Sequence, residues 1–174
     1  MITRFTRSDV ADACRKLGPT LKSLPPGMNG VNLLWAITGN ESSFGANCNP
    51  KHEPAYDVGG RYSTSPDQAA LLAKFGSAAA CSYGPMQVML CNAPSGSSPA
   101  DFDNLETGMS HAIYALQKLI NRFLPVRVAE VGYCWNGGHI MDPNPDVKVY
   151  GTRLAMRYLI PLPTGPSLEN AGKG

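Results

Sequence analysis

Apolar residues recur along most of this chain at spacings of three and four, the period of a helix with one buried face. The most apolar such stretch is Val31-Asn32-Leu33-Leu34-Trp35-Ala36-Ile37-Thr38-Gly39-Asn40-Glu41, where Val31, Leu34, Trp35 and Ile37 form a stripe and Gly39 and Gly45 punctuate the end. Before it, Val10, Ala13, Cys14 and Leu17 predict a first helix, capped by Thr6 or Ser8 and stopped by Gly18. After it, Ser65-Pro66 opens a short helix through Leu71, Leu72 and Phe75 that Gly76 closes. Leu105, Met109, Ala112, Ile113, Leu116, Leu119, Ile120, Phe123 and Leu124 give the clearest periodicity, read as core, with Asp103-Asn104-Leu105-Glu106 in the place of a capping box. Pro125 opens a further helix through Val126, Ala129, Val131 and Tyr133, and Val147, Tyr150, Leu154 and Tyr158 mark the last one. With no convincing alternating strand and no internal repeat, the pattern predicts a mainly α fold. The irregular stretch from Ala46 to Thr64 leaves room for a small β-hairpin. One domain is expected over residues 1–160, followed by a flexible tail over 161–174 that starts at Pro161.

Size and charge narrow the function classes. At 174 residues the chain can bury roughly two-thirds of its unfolded surface without a staple. Its 15 basic and 13 acidic residues leave a formal charge of +2 with no long block of either sign, so no nucleic-acid stripe is indicated. No apolar run approaches the roughly 18 residues of a membrane span, and Met1 to Arg7 leads into a polar segment rather than a signal core. The expectation is a monomer made in the cytoplasm, without membrane insertion. Five cysteines (Cys14, Cys48, Cys81, Cys91 and Cys134) contain no C-x-x-C pair, so neither a metal nor a cofactor is expected. Buried free thiols are the simplest reading, and a disulfide among the last four stays open if the protein ends in an oxidising compartment.

The candidate chemistry centres on Glu41. At the end of an apolar helix its carboxylate meets the negative pole of the helix dipole, and aromatic neighbours such as Trp35 and Phe44 would desolvate it. Both effects raise a carboxyl pKa toward values suited to donating a proton near neutrality. Gln87, bracketed by Met86 and Val88, fits a polar ligand of a substrate amide or hydroxyl, or a side chain that satisfies loop backbone. The long loop adds ionisable groups in Lys51-His52-Glu53-Pro54-Ala55-Tyr56-Asp57. His111, on the long helix, reads as structural. The paired glycines Gly137 and Gly138 bring backbone close to whatever binds there.

Three stations stand in order: Glu41-Ser42-Ser43-Phe44, then Tyr83-Gly84-Pro85-Met86-Gln87-Val88-Met89, then Gly132-Tyr133-Cys134-Trp135-Asn136-Gly137-Gly138, followed by Val149-Tyr150. This order resembles the catalytic domain of soluble lytic transglycosylases, relatives of goose-type lysozyme in glycoside hydrolase family 23, over about residues 30–160. That family reads Glu-Ser-x-Phe, Gly-Leu-Met-Gln, Ala-Tyr-Asn-x-Gly and a late Tyr-Val. The chain departs from it in Pro85 for Leu, Trp135 for Tyr, and a long insertion between the first two stations. The run Lys51 to Tyr56 resembles a short motif of some phage muramidases.

The resemblance implies a lysozyme-like helical domain with a central helix and a substrate groove. It places Glu41 as the catalytic acid/base and Ser42, Tyr83, Met86, Gln87, Trp135, Asn136 and Tyr150 against substrate. The implied activity is cleavage of the β-1,4 bond between N-acetylmuramic acid and N-acetylglucosamine in peptidoglycan. With one carboxylate this leaves 1,6-anhydromuramyl ends. With Glu53 or Asp57 as a second carboxylate, the outcome is lysozyme-type hydrolysis. Such an enzyme acts at the bacterial cell wall as a phage endolysin, a virion-borne enzyme or a host enzyme. The competing class is a non-catalytic peptidoglycan-binding domain, and a nucleic-acid-binding helical module is a distant third.

Overall fold

The computed structural model describes residues 5–164, so the expected tail falls largely outside the described residues. Among these residues are six α-helices: α1 (Arg7–Leu17), α2 (Gly30–Ser42), α3 (Pro66–Phe75), α4 (Leu105–Phe123), α5 (Val128–Gly137) and α6 (Pro145–Tyr158). A small antiparallel sheet of three strands, β1 (Lys51–His52), β2 (Cys81–Tyr83) and β3 (Val88–Met89), lies in that order. The fold is mainly α, as the periodicity predicts.

The core is built on α2. Leu33, Leu34, Trp35, Ala36 and Ile37 are completely inaccessible to solvent, and Gly30, Thr38 and Gly39 are buried with them. A helix apolar on nearly every side belongs in the middle of a domain, and each large side chain buried there contributes about 1.5–3 kcal/mol. α1 and α6 pack against it. Asn29 caps the start by accepting from the backbone N–H groups of Val31 and Asn32, and the Tyr158 hydroxyl accepts from the Asn29 N–H at 2.6 Å, which ties the end of α6 to the start of α2. Thr6, rather than Ser8, caps α1 in a reciprocal box with Asp9.

Gly39 lies inside α2, not at its end. The Phe44 ring occupies the space over it, and a Cβ there would sit 2.6 Å from that ring. The helix stops instead because Ser43 and Phe44 turn left-handed, with φ of 53° and 61°. Glu41 is thereby held in the last turn.

Four other expectations are corrected. The hairpin is β2–β3, with Tyr83 opposite Val88 and Ser82 opposite Met89, while the Ala46 to Thr64 stretch supplies only the edge strand β1. These strands are two or three residues long and mostly buried, so no alternation marks them. The cap of α4 is Asn104, accepting from the Thr107 N–H, and the reciprocal box belongs to Ser98 and Asp101 of the preceding 3-10 turn. Pro125 does not open α5. That helix starts after Arg127, with the Glu130 carboxylate accepting from the N–H groups of Val126 and Arg127. Leu124 is no core residue: it is the left-handed cap of α4 and 68% exposed.

The α5–α6 crossing positions the site. A Cβ on Gly132 would lie 2.7 Å from the Gly151 Cα, and one on Gly151 would lie 2.2 Å from the Tyr133 ring and 2.5 Å from the Ala129 carbonyl oxygen. Glycine at both points lets the two backbones touch. Trp135 and Tyr150 then reach the same point from different helices.

Candidate active site

That point is the Glu41 carboxylate. Tyr150 donates its hydroxyl to Oε1 at 2.6 Å, and Trp135 donates its indole N–H to the same oxygen at 3.1 Å. Three elements far apart in sequence converge on one carboxyl oxygen: the end of α2, the end of α5 and the middle of α6. Burial raises the Glu41 pKa above the ordinary carboxylate value, and the two hydrogen bonds together with the nearby Lys51 charge offset only part of that rise. The negative charge of Glu53 adds to it. The terminal carbonyls of α2 act in the same direction. Burial, then the Glu41 charge, push Tyr150 well above its own ordinary value, so it stays a proton donor.

Glu41 opens on a groove of about 860 Å³. One wall comes from the long loop and the sheet, with Lys51, Glu53, Tyr56, Tyr62 and Gln87. The opposite wall comes from α4 and the end of α5, where Trp135 and Asn136 stand beside a face of α4 that includes Ala115 and Leu119. Leu119, expected as core, thus borders the groove as well. Tyr56 and Tyr62 lie with ring centroids 4.9 Å apart and planes tilted by 39°, and give the loop wall an aromatic surface. Tyr56 is fixed from behind by Gln68, whose buried side-chain amide donates to the carbonyls of Tyr56 and Ala79.

The second station supports the groove more than it lines it. Met86 is 1% exposed and belongs to the core. Tyr83 is buried, donates its hydroxyl to the Ala78 carbonyl at 2.6 Å and stacks on Phe102. Ser42 is also buried: its hydroxyl lies 2.8 Å from the Pro85 carbonyl and 3.0 Å from that of Thr38, and it accepts from the Gly45 N–H. The hydroxyl therefore clamps the hairpin turn to the end of α2, next to Glu41. Of the second-station residues expected against substrate, only Gln87 reaches the groove. Its amide donates to the Gly84 carbonyl at 2.9 Å and its oxygen receives Ser82, so it also satisfies the turn in which it sits at φ 48°.

The loop acids separate. Glu53 lies on the groove wall, 3.0 Å from the Lys51 ammonium and within reach of the Ser82 hydroxyl. Asp57 does not line the groove. It holds His52 at 2.7 Å, and that bond keeps its pKa below the usual carboxylate range. Trp35 and Phe44 pack against one another in a tilted pair, ring centroids 4.2 Å apart, while the indole in contact with Glu41 is that of Trp135. His111 packs its edge on Phe102 and lies 3.3 Å from Asp101, a structural position as expected.

All five cysteines are free thiols. Cys134 borders the groove, but burial pushes its pKa up to about 11, so it is a neutral thiol at pH 7 and a poor nucleophile. Sequence reasoning missed Tyr56, Tyr62 and the groove-facing side of α4; the helical spacing of Ala115 and Leu119 was visible, but nothing distinguishes a groove face from a core face when both are partly apolar. No helix among the described residues is long and apolar enough to cross a membrane. No family model, curated protein or solved structure matches the chain.

Proposed function

We propose that the chain is a peptidoglycan-cleaving enzyme, a lytic transglycosylase in which Glu41 serves as acid and then base. One observation carries this: a carboxyl whose pKa is raised by burial sits at the floor of an open groove, oriented by Tyr150 and Trp135 through one oxygen. Both hydrogen bonds fall on Oε1, and none is formed by Oε2 among the described residues, which leaves that oxygen to carry the proton toward a substrate. The groove's volume of about 860 Å³, its tyrosines and its amide side chains Gln87 and Asn136 suit a polymer rich in hydroxyls and acetamido groups.

The proposed sequence balances without water. Glu41 gives its proton to the bridging oxygen as the bond to C1 of N-acetylmuramic acid breaks, and N-acetylglucosamine leaves with a free 4-hydroxyl. The acetamido oxygen of the muramyl residue bonds to C1 and takes up the positive charge. Glu41, now a carboxylate, removes the proton from the 6-hydroxyl, whose oxygen displaces the acetamido oxygen from C1. The products are a 1,6-anhydromuramyl end and a protonated Glu41.

A second reading rests on Glu53. Its carboxylate faces the same groove, and if it activates a water the outcome is hydrolysis with a reducing muramic end. Asp57, exposed to neither groove nor Glu41 and engaged by His52, is not proposed for that role. Mass spectrometry of products from purified peptidoglycan separates the alternatives. Anhydro ends support the transglycosylase and reducing ends the hydrolase. Intact glycan strands, with the protein bound to them, would leave only a binding domain. The site of action proposed with this activity is the bacterial cell wall.

A further inference from the structure

The α4 wall of the groove carries two cations with no acid to match. Ala115, Lys118, Leu119 and Arg122 all line the groove, and their spacing of three and four puts them on one face of the helix. Two apolar side chains on that face are thus interleaved with two long cationic ones. Lys118 and Arg122 are exposed, and no ion pair among the described residues involves either of them. Their heads rest against the rings of Tyr114 and Phe123 on the same helix, at 5.4 and 4.9 Å. The contrast with the opposite wall is direct: there Lys51 is neutralised by Glu53 at 3.0 Å. The cation whose charge acts on Glu41 is Lys51, not either of these two.

A groove for a neutral glycan has no use for two unmatched cations one helical turn apart. We infer that Lys118 and Arg122 form a carboxylate-binding wall that recognises the acidic substituent carried on the muramyl residue. This rests on the proposed peptidoglycan activity and adds to it a basis for selecting a muramyl glycan over a plain N-acetylglucosamine polymer. Arginine presents a planar fork suited to a carboxylate, and lysine supplies a mobile point charge beside it. Ala115 and Leu119 offer apolar contact to the lactyl or alanyl methyl groups that accompany that carboxylate. The carboxylate has two sources. In glycan stripped of peptide it is the lactyl carboxylate itself, whereas in intact peptidoglycan the lactyl group is amidated and the carboxylates belong to the stem peptide.

The test compares wild type with the K118A/R122A double variant on peptide-bearing glycan strands and on amidase-stripped strands. A second arm uses an E41Q protein and an E41Q/K118A/R122A protein to measure binding of N-acetylglucosamine oligomers, which carry no carboxylate. Both positions are exposed on a long helix, so the variants are expected to fold, and circular dichroism checks it. Two partly exposed ion pairs predict a KM increase of about tenfold with kcat changed less than twofold, and a weaker dependence of KM on salt. Oligomer binding is expected to be equal in the two E41Q proteins. A KM increase on peptide-bearing strands alone assigns the wall to the stem peptide, and an increase on stripped strands assigns it to the lactyl carboxylate. An unchanged KM on both substrates, or an equal loss of oligomer binding, overturns the inference while leaving the cleavage reading intact. Wild type that cleaves neither substrate overturns the cleavage reading instead.

Discussion

Replacing Tyr150 by Phe isolates what draws the Glu41 pKa back down against burial. The substitution removes one oxygen atom and leaves the ring in place between α2 and α5. The lost contact is a hydroxyl-to-carboxylate hydrogen bond of 2.6 Å, in the range of charge-assisted bonds, which stabilise the ionised acceptor by about 1.5–3 kcal/mol. Removing it penalises the charged form more than the neutral one, so the Glu41 pKa, already raised by burial, rises further. Trp135→Phe deletes a longer, neutral-donor bond of 3.1 Å and moves the pKa in the same direction by less. The stability consequence has a fixed sign. Because the native pKa is above the unfolded one, the native state gains from the proton below the unfolded value and loses that gain as pH rises through the native value. In the Y150F protein this loss extends to higher pH. Carbon-13 NMR titration of the glutamate carboxyls, with E41Q to assign the resonance, reads the order directly: wild type lowest, W135F next, Y150F highest. The alkaline limb of wall clearing moves in the same order. A Glu41 pKa that falls, or stays put, in Y150F would mean that the hydroxyl does not donate to the carboxylate, and the account of the site would fail with it.

Glu41→Gln keeps an oxygen for both donors but has no proton to give; wall clearing is expected to fall by about 10²–10⁴-fold, while the melting temperature at pH 7 holds or rises because a buried ionisable group has been neutralised. Retained clearing would refute the enzyme reading. Ser42→Ala leaves the Gly45 N–H and the Pro85 carbonyl without their buried partner, at a cost of about 1–3 kcal/mol. That lowers the melting temperature by about 2–4 °C per kcal/mol, and an unchanged melting temperature with a raised KM would make Ser42 a substrate ligand instead. Gly151→Ala forces a methyl group against Tyr133 and the Ala129 carbonyl, with a loss of about 1–3 kcal/mol or more expected in urea unfolding, and a wild-type midpoint would refute the close crossing. Ellman's reagent is expected to titrate five thiols after denaturation and to react slowly with the native protein, where burial pushes Cys14 up to about 12 and Cys48 and Cys91 up to about 11.

The helices were legible because their signal is local and repeated. α1, α3, α4 and α6 each show several apolar residues at helical spacing, and their ends carry Thr6, Ser65-Pro66, Asn104 and Asn144-Pro145. The sheet was not, since strands of two or three residues are too short to show a period. Glu41 was legible from the apolar helix before it. What placed it, however, is a left-handed pair, Ser43 and Phe44, that no propensity would choose. The distinction between a side chain that touches a ligand and one that supports another side chain was beyond the sequence altogether. Ser42, Tyr83 and Met86 sit in runs that read as binding segments, yet all three are buried.

That burial explains why the second station sits where it does. Ser42 joins the Pro85 carbonyl to the last turn of α2, Gln87 closes the turn onto Gly84, and Ser82 bridges Gln87 to the Glu53 side of the wall. The turn is therefore a bracket between the acid-bearing helix and the loop wall of the groove. On the other side, Gly132 and Gly151 form a second bracket that sets Trp135 and Tyr150 at a common height. Glu41 lies between the two. A proton donor must be desolvated enough to keep its proton and open enough to deliver it. Those demands conflict for a side chain on a mobile loop; Glu41 instead sits on a last helical turn clamped from both flanks, with one carboxyl oxygen held by two donors and the residue bordering the groove. The arrangement predicts coupling: S42A and Gly151→Ala should each lower kcat more than they raise KM, the first by shifting the turn that carries Glu41 and the second by shifting the two donors that orient it.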